Sequence, residues 1–367
     1  MLSHYTCHPI VIKKILEREI LLMNKHFYSF KNRKIAIFTA GIYAQRFYNR
    51  LKTKYNVDAE FFIDNDIKYS EKVFKVCGKD ILYKPWETKS DFTNKYFVII
   101  ATKASWVKEI SIQLDNIGIP NISSYAYEIL LLWDDIKNIS NSLYDDYSKA
   151  VYFGLIWYWL TLDTSFQQLS DNIYFDTDEF IFSYSEIIAD LGAHVGGNIE
   201  NYIRRSDGSN KIYAFEPDVN NYKALKLRIN RLILEWNLNQ NNLIAINAGV
   251  GIKTGYQFFT NDLELSASSH FSTLGKNKVM VYSLDDYFKD KIPPSLIKAD
   301  IEGFELDMIQ GAINIIKNHK PKIAISIYHN IDDIITIPRM IKDINSNYNF
   351  VIHKHNIEQY DTILYCF

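Results

Sequence analysis

The sequence predicts an α/β protein made of two doubly wound units, and three observations carry that reading. Short apolar runs alternate with amphipathic stretches twice, over residues 31–125 and again over residues 173–367. In the second stretch a glycine turn follows one apolar run and an acidic residue ends the next. The chain then closes on two apolar runs, YNFVIHKH and DTILYCF, whose connection is too short for a crossover helix. That pair must therefore be antiparallel.

Taken in order, residues 10–27 space Ile10, Ile12, Ile15, Ile20, Leu21 and Met23 as one face of a helix, so residues 1–30 are expected to be a helical N-terminal segment. The first unit has strands at RKIAIFT, AEFFID and YFVIIAT, with the helices IYAQRFYNRLKTKY and SWVKEISIQLDNIG after the first and third. Residues 126–172, with ILLLWDDI and AVYFGLIWYWLTL, read as a helical connector whose aromatics belong to packing. The second unit places strands at Ile187–Leu191, KIYAFEP, LIAINAG, SLIKADIEG and KIAISIYH. Its helices are Ile199–Arg205, Tyr222–Trp236, FELDMIQGAINIIKNH and most of Asn330–Asn345. A long polar excursion separates the third strand from the fourth. The expected outcome is a mostly parallel seven-stranded sheet ending in an antiparallel hairpin.

Composition narrows the function. A chain of 367 residues has room for two or three domains. A formal charge of −2 gives no basic face for nucleic acid. Cys7, Cys77 and Cys366 lie too far apart for a zinc site or a disulfide framework, which points to a reducing compartment. The N-terminus lacks the pattern of a signal peptide, and the apolar stretch Val151–Leu162 falls short of the about 20 residues that span a bilayer. The expectation is a soluble, cytoplasmic protein with no transmembrane segment.

Four features carry chemistry. Asp190-Leu-Gly192-Ala193-His-Val-Gly196-Gly197 sits where a strand passes to a helix, the place where open α/β sheets bind ligands. Its glycine spacing differs from the GxGxxG of dinucleotide folds. Glu216, followed by Pro217, ends the next strand, where a carboxylate can accept both hydroxyls of a ribose. Lys298-Ala-Asp300-Ile-Glu302-Gly303-Phe-Glu305 leaves the fourth strand with two carboxylates two residues apart. His329 ends the fifth strand and can act as a general base near neutral pH.

Together these residues resemble the FkbM family of methyltransferases. The resemblance is carried by EIIADLGAHVGG, IYAFEPDVNNYKAL, YSLDDYF, LIKADIEGFELDMIQGA, KIAISIYHNIDDIITIP and DTILYCF, over about residues 173–367. The second unit is then a class I methyltransferase fold. GAHVGGN departs from the family, whose members more often carry Asn after the Ala or end in GDT, so the contacts of His194 and Gly197 differ. The resemblance implies S-adenosylmethionine as cofactor and O-methylation of a hydroxyl on a sugar, glycan or related small molecule. By position it assigns Asp190, Gly192, Ala193, Gly196, Glu216, Pro217, Asn247 and Ala248 to the cofactor. It assigns Asp300, Glu302 and His329 to the acceptor side. A metal-free base is preferred there to a divalent Mg²⁺ or Mn²⁺ held by the same three residues, so no metal ligand is assigned.

The first unit, with Thr39-Ala-Gly41 and Phe62-Ile-Asp64, looks like a degenerate Rossmann-like nucleotide-binding domain. Binding a nucleotide-linked sugar and serving as a scaffold or oligomer surface both remain open for it. Two rival readings stand beside the enzyme. One is an inactive cofactor-binding scaffold in glycan modification or polysaccharide biosynthesis; the other is an NAD-dependent oxidoreductase, disfavoured by the missing GxGxxG.

Overall fold

The computed structural model describes residues 33–69, 74–83, 95–171, 173–174, 180, 183–260, 270–271, 277–358 and 360–367. The helix expected over residues 10–27 and Cys7 lie outside them. The chain divides into two compact units, Met1–Trp133 with Phe153–Phe166, and Asp134–Tyr152 with Gln167–Phe367.

In the first unit, β1 (Lys34–Phe38), β2 (Phe61–Asp64), β3 (Phe74–Val76), β4 (Lys79–Tyr83), β5 (Tyr96–Ile100) and β6 (Asn121–Ser123) form one sheet. Its order is β3-β4-β2-β1-β5-β6, parallel except for β3. The helices α1 (Ile42–Tyr55) and α2 (Ala104–Asp115) follow β1 and β5. Asp64 ends β2, and its carboxylate accepts the Ala40 N–H at 2.7 Å and the Asp66 N–H at 2.9 Å. The acid therefore ties the turn after β1 to the turn after β2. Three helices follow, α3 (Ser124–Leu131), α4 (Trp133–Ser142) and α5 (Asp146–Thr161). The division between the units falls after the first residue of α4 and again inside α5. Trp157 and Trp159 are buried, as the packing reading of this aromatic run expects.

The second unit holds a seven-stranded sheet of β7 (Ile187–Leu191), β8 (Lys211–Phe215), β9 (Leu243–Ile246), β14 (Leu296–Ala299), β15 (Lys322–Ser326), β16 (Phe350–Lys354) and β17 (Thr362–Cys366). Its order is β16-β17-β15-β14-β7-β8-β9, and only β17 runs against its neighbours. The inner strands β7, β14 and β15 are buried on both faces, which is why they read as continuous apolar runs. The helices α6 (Gly197–Ser206) and α7 (Val219–Glu235) follow β7 and β8. Asp218 caps α7 by accepting the N–H groups of Asn220 and Asn221.

Two parts differ from expectation. The polar excursion contains β10 (Gly249–Val250), β11 (Gly255–Thr260), β12 (His270–Phe271) and β13 (Asn277–Tyr282), a second sheet ordered β10-β13-β11-β12. A short α8 (Leu284–Tyr287) follows. The single helix expected after β14 is two, α9 (Glu305–Gln310) and α10 (Ile313–His319). Gly311 at the break packs so closely that a Cβ there would lie 2.0 Å from the Gly251 carbonyl oxygen. Asp285 then supplies the new helix start with acceptors for the N–H groups of Asn314 and Ile315. After β15, α11 (Asp333–Ile344) lies within the stretch expected to be mostly helical.

The closing hairpin contains a buried lysine. Lys354 Nζ donates to the Tyr360 carbonyl at 3.0 Å and to Thr362 Oγ1 at 3.3 Å, bracing the connection between β16 and β17. Burial pulls its pKa down to about 7, against the opposing charges of Asp361 and Glu358. The folded state then binds fewer protons than the unfolded chain between about pH 7 and 10, so this group makes stability rise with pH there. Relative to Lys354→Met, the wild-type protein should gain stability as pH rises through that window. Urea unfolding at pH 6, 8 and 10 checks this; a difference that does not change with pH would contradict it.

Candidate active site

The parallel strands β14, β7 and β8 end together, and the loops that leave them line a cleft of about 370 Å³. That is the end of an open α/β sheet where ligands bind, and the volume suits a small organic ligand. Gly192 and His194 contribute from the turn after β7, Phe215, Glu216 and Pro217 from the end of β8. Ala248 and Val250 line it beyond β9, and Asp300, Glu302 and Phe304 beyond β14.

The turn after β7 is held by its neighbours on both sides. Gly192 has φ +73°, and a Cβ there would lie 1.9 Å from the Asp300 carbonyl oxygen. Only glycine lets this backbone lie against the chain leaving β14. Glu216 is buried, with Oε2 accepting the His194 N–H at 2.8 Å and Oε1 accepting the Asp218 N–H at 2.9 Å. Burial raises its pKa, and the two N–H groups oppose that rise. Each carboxylate oxygen has a second lone pair for a ligand hydroxyl. It is the arrangement of Asp64 in the first unit, repeated with a longer acid.

Other expected cofactor residues lie behind the cleft rather than along it. Asp190 is fully buried within β7 and faces Lys298 of β14, its direct cross-strand partner, with Nζ 3.3 Å from Oδ1. Lys298 Nζ also donates to the Leu191 and Gly192 carbonyls at 3.2 and 2.9 Å. Ala193 is buried, and its N–H donates to the Phe215 carbonyl. Gly196, at φ +84°, packs against Leu225 of α7, where a Cβ would come within 2.8 Å of its Cδ1. Asn247 Nδ2 donates to the Glu216 and Pro217 carbonyls at 2.9 and 3.2 Å, fixing the loop that carries the acid.

The acceptor-side residues do converge. His329 Nε2 lies 3.5 Å from Asp300 Oδ1 and 3.6 Å from Glu302 Oε2, while Nδ1 lies 3.0 Å from Glu305 Oε1. Glu302 has φ +57° and Gly303 +96°, a tight left-handed pair that turns the chain from β14 into α9. Asp300 accepts the Tyr174 hydroxyl at 3.0 Å and the Tyr328 hydroxyl at 3.3 Å. Burial works against its ionisation, but the charges of Lys298 and His329 and the tyrosine bond hold it below the usual carboxylate range. Burial raises Glu302, reinforced by Asp300 and Glu305. Burial alone would lower His329, yet Glu305, Asp300 and Glu302 raise it to about 9. An imidazole so surrounded carries its proton at neutral pH, which disfavours it as an unaided base.

Sequence reasoning gave no role to Glu305, Lys298 or Tyr174. Glu305 is buried at the start of α9, and its Oε1 also accepts the Ile301 N–H at 2.9 Å. Lys298 and Glu305 both stand inside LIKADIEGFELDMIQGA, the motif that carries the family resemblance, and that was their local signal. Tyr174 lies 126 positions before the carboxylate it touches, and no local pattern marks it.

Residues 190–352 match the model of the methyltransferase FkbM domain. This chain carries an FkbM methyltransferase domain. Methyltransferase FkbM from Methylobacillus flagellatus KT has the same fold: TM-score 0.57 at 20% identity, over 95% of this chain and 92% of that one. Precorrin-6y C5,15-methyltransferase from Geobacter metallireducens GS-15 is more distant, with TM-score 0.32 at 9% identity over 50% and 80%. A SAM dependent methyltransferase from Aquifex aeolicus gives TM-score 0.29 at 10% identity over 52% and 85%. No curated protein matches the chain. Among the described residues no helix is long and apolar enough to cross a membrane.

The cleft of the methyltransferase domain fits an adenosine-type cofactor. Phe215, Ala248 and Val250 give it apolar walls, Glu216 offers acceptors for a ribose, and Gly192 keeps the turn clear of side chain.

Proposed function

We propose that the domain transfers a methyl group from S-adenosylmethionine to a hydroxyl oxygen of a sugar, glycan or related small molecule. One observation carries the reading: Glu216, which can receive a ribose, and Asp300 and Glu302, which can receive a hydroxyl, line the same cleft. Bound S-adenosylmethionine supplies a methyl carbon whose bond to sulfur breaks as the bond to oxygen forms, the electron pair remaining on sulfur. The protein's part is to hold the acceptor oxygen in line, an effect of about 7–11 kcal/mol in well-oriented systems, and to take up its proton. Asp300, kept ionised by Lys298 and oriented by Tyr174 and Tyr328, is placed for that. A polar, hydroxyl-rich acceptor suits an acceptor side built of carboxylates and tyrosines.

Glu216→Ala should weaken S-adenosylhomocysteine binding about 10-fold or more, the cost of one or two hydrogen bonds to a charged group. NAD should not bind at all. Calorimetry on the whole chain checks both, and full affinity in the variant would remove the cofactor assignment. Methyl incorporation from labelled S-adenosylmethionine into sugar and glycan hydroxyls tests the acceptor class.

A further inference from the structure

We infer that Tyr360 is a stacking platform for a sugar ring, and that the acceptor is an oligosaccharide. One unit presents its hydroxyl to Asp300 while the unit linked to it lies on Tyr360. The inference rests on the reading of this domain as a methyltransferase for hydroxyl acceptors, and it narrows their class.

Place is the first reason. β16 runs parallel to β15, so its connection to β17 leaves the sheet at the end where the cleft opens. There the Tyr360 ring meets the Tyr328 ring edge to face, with centroids 6.4 Å apart and planes at 73°. The Tyr328 hydroxyl in turn donates to Asp300 Oδ1 at 3.3 Å. Burial and the charges of Asp300, Asp361 and Glu302 push that phenol up, so it keeps the proton it donates. Asp300 and Glu302 line the cleft, and Tyr360 stands one phenol ring beyond them. A sugar stacked on Tyr360 is therefore a neighbour of the reacting unit rather than that unit itself.

The second reason is how firmly an exposed ring is held. Tyr360 is 50% exposed, so core packing does not account for the bonds that fix its backbone. The buried Lys354 ammonium donates to the Tyr360 carbonyl, and the His355 N–H donates to the Asp361 carbonyl at 2.9 Å. The Gln167 amide grips Glu358 twice, accepting its N–H at 2.8 Å and donating to its carbonyl at 2.5 Å. Glu358 and Asp361, on either side of Tyr360, have φ +63° and +49°, a left-handed backbone that residues with side chains rarely take. Strain of this kind persists only where the surroundings hold it, and it gathers at ligand sites. A ring set in advance binds without the ordering cost of a mobile one.

Chemistry selects the ligand. A pyranose has C–H bonds over its faces and hydroxyls around its rim. An aromatic face covers the first, and carboxylates accept from the second. Tyr360 and the Asp300 and Glu302 pair supply both kinds of contact next to each other. An apolar acceptor would leave the carboxylates without donors, and a lone monosaccharide would leave the Tyr360 ring uncovered.

The test uses the whole chain, with and without S-adenosylhomocysteine. The probes are cellobiose, maltose, chitobiose and mannobiose, each beside the methyl glycoside of its single sugar. Saturation-transfer NMR with irradiation of aromatic protons should mark the C–H groups of one ring of a bound disaccharide. Titration should show that disaccharide binding about 10-fold more tightly than its monosaccharide, the effect of one aromatic stack. Tyr360→Ala should remove the advantage and Tyr360→Phe should keep it, with S-adenosylhomocysteine affinity unchanged in both. Equal affinity for disaccharide and monosaccharide, an advantage that survives Tyr360→Ala, or no binding by any sugar of the panel overturns the platform. A chain that binds disaccharide through Tyr360 but not S-adenosylhomocysteine keeps the platform and loses the proposed function. Binding of S-adenosylhomocysteine alone does the reverse.

Discussion

Gly192→Ala should abolish cofactor binding, and in most preparations the fold of the second unit with it. The added Cβ would lie 1.9 Å from the Asp300 carbonyl oxygen and 3.0 Å from the carbonyl carbon, both backbone atoms of the chain leaving β14. No rotamer change relieves that contact, so β7 and β14 must part at the point where they form the cleft. The φ of +73° adds a further penalty for any residue with a side chain. Overpacking of this kind costs about 1–3 kcal/mol where side chains can yield, and more where backbone must. Even a folded variant would hold Asp300 out of place, and displacements near 1 Å can cost about 10²-fold in rate. Gly197→Ala is the control, because a Cβ there meets nothing within 4 Å and the backbone has no positive φ. Urea unfolding and S-adenosylhomocysteine calorimetry on both variants check the contrast. Equal behaviour of the two would mean that the close approach at Gly192 does not matter.

What the sequence showed, and what it concealed, follows from the distance over which each feature is determined. The strands β7, β8, β14 and β15 are short apolar runs buried on both faces, so a local pattern marks them directly. Gly192 and Glu216 stand at fixed places relative to those strands and were found with them. The small sheet around β11 and β13 was hidden because its strands are half exposed and lie in an otherwise polar stretch, although YQFF and NKVMVY carry β-favouring residues. The split of α9 from α10 depends on the Gly251 carbonyl, some 60 residues away along the chain from Gly311, and no helix propensity records that. Asp190 was legible as a strand-end acid, but its partner was not. Pairing it with Lys298 requires the register of β7 against β14, which exists only once the sheet is assembled.

Lys298→Met should destabilise the second unit by about 3–5 kcal/mol, the usual effect of removing one member of a buried ion pair. Lys298 and Asp190 are 2% and 0% exposed, so the orphaned carboxylate has no route to water. Burial already raises Asp190 toward protonation while Lys298 resists that rise, and losing the lysine leaves burial unopposed. The same ammonium donates to the Leu191 and Gly192 carbonyls, so the variant also unpins the turn that lines the cleft. Asp300 loses the charge that most favours its ionised form. Stability and function should therefore fall together, yet they can be separated. In Asp190→Leu with Lys298→Met no charge is left unpaired, and buried pairs replaced by apolar residues are often neutral in stability. Urea unfolding should show the double variant recovering most of the loss. S-adenosylhomocysteine affinity should stay low, because two backbone carbonyls of the turn still lack their donor. A double variant as unstable as the single one would place the stabilisation in those carbonyl bonds rather than in the ion pair. Full recovery of affinity would show that Lys298 only neutralises Asp190 and does not position the turn.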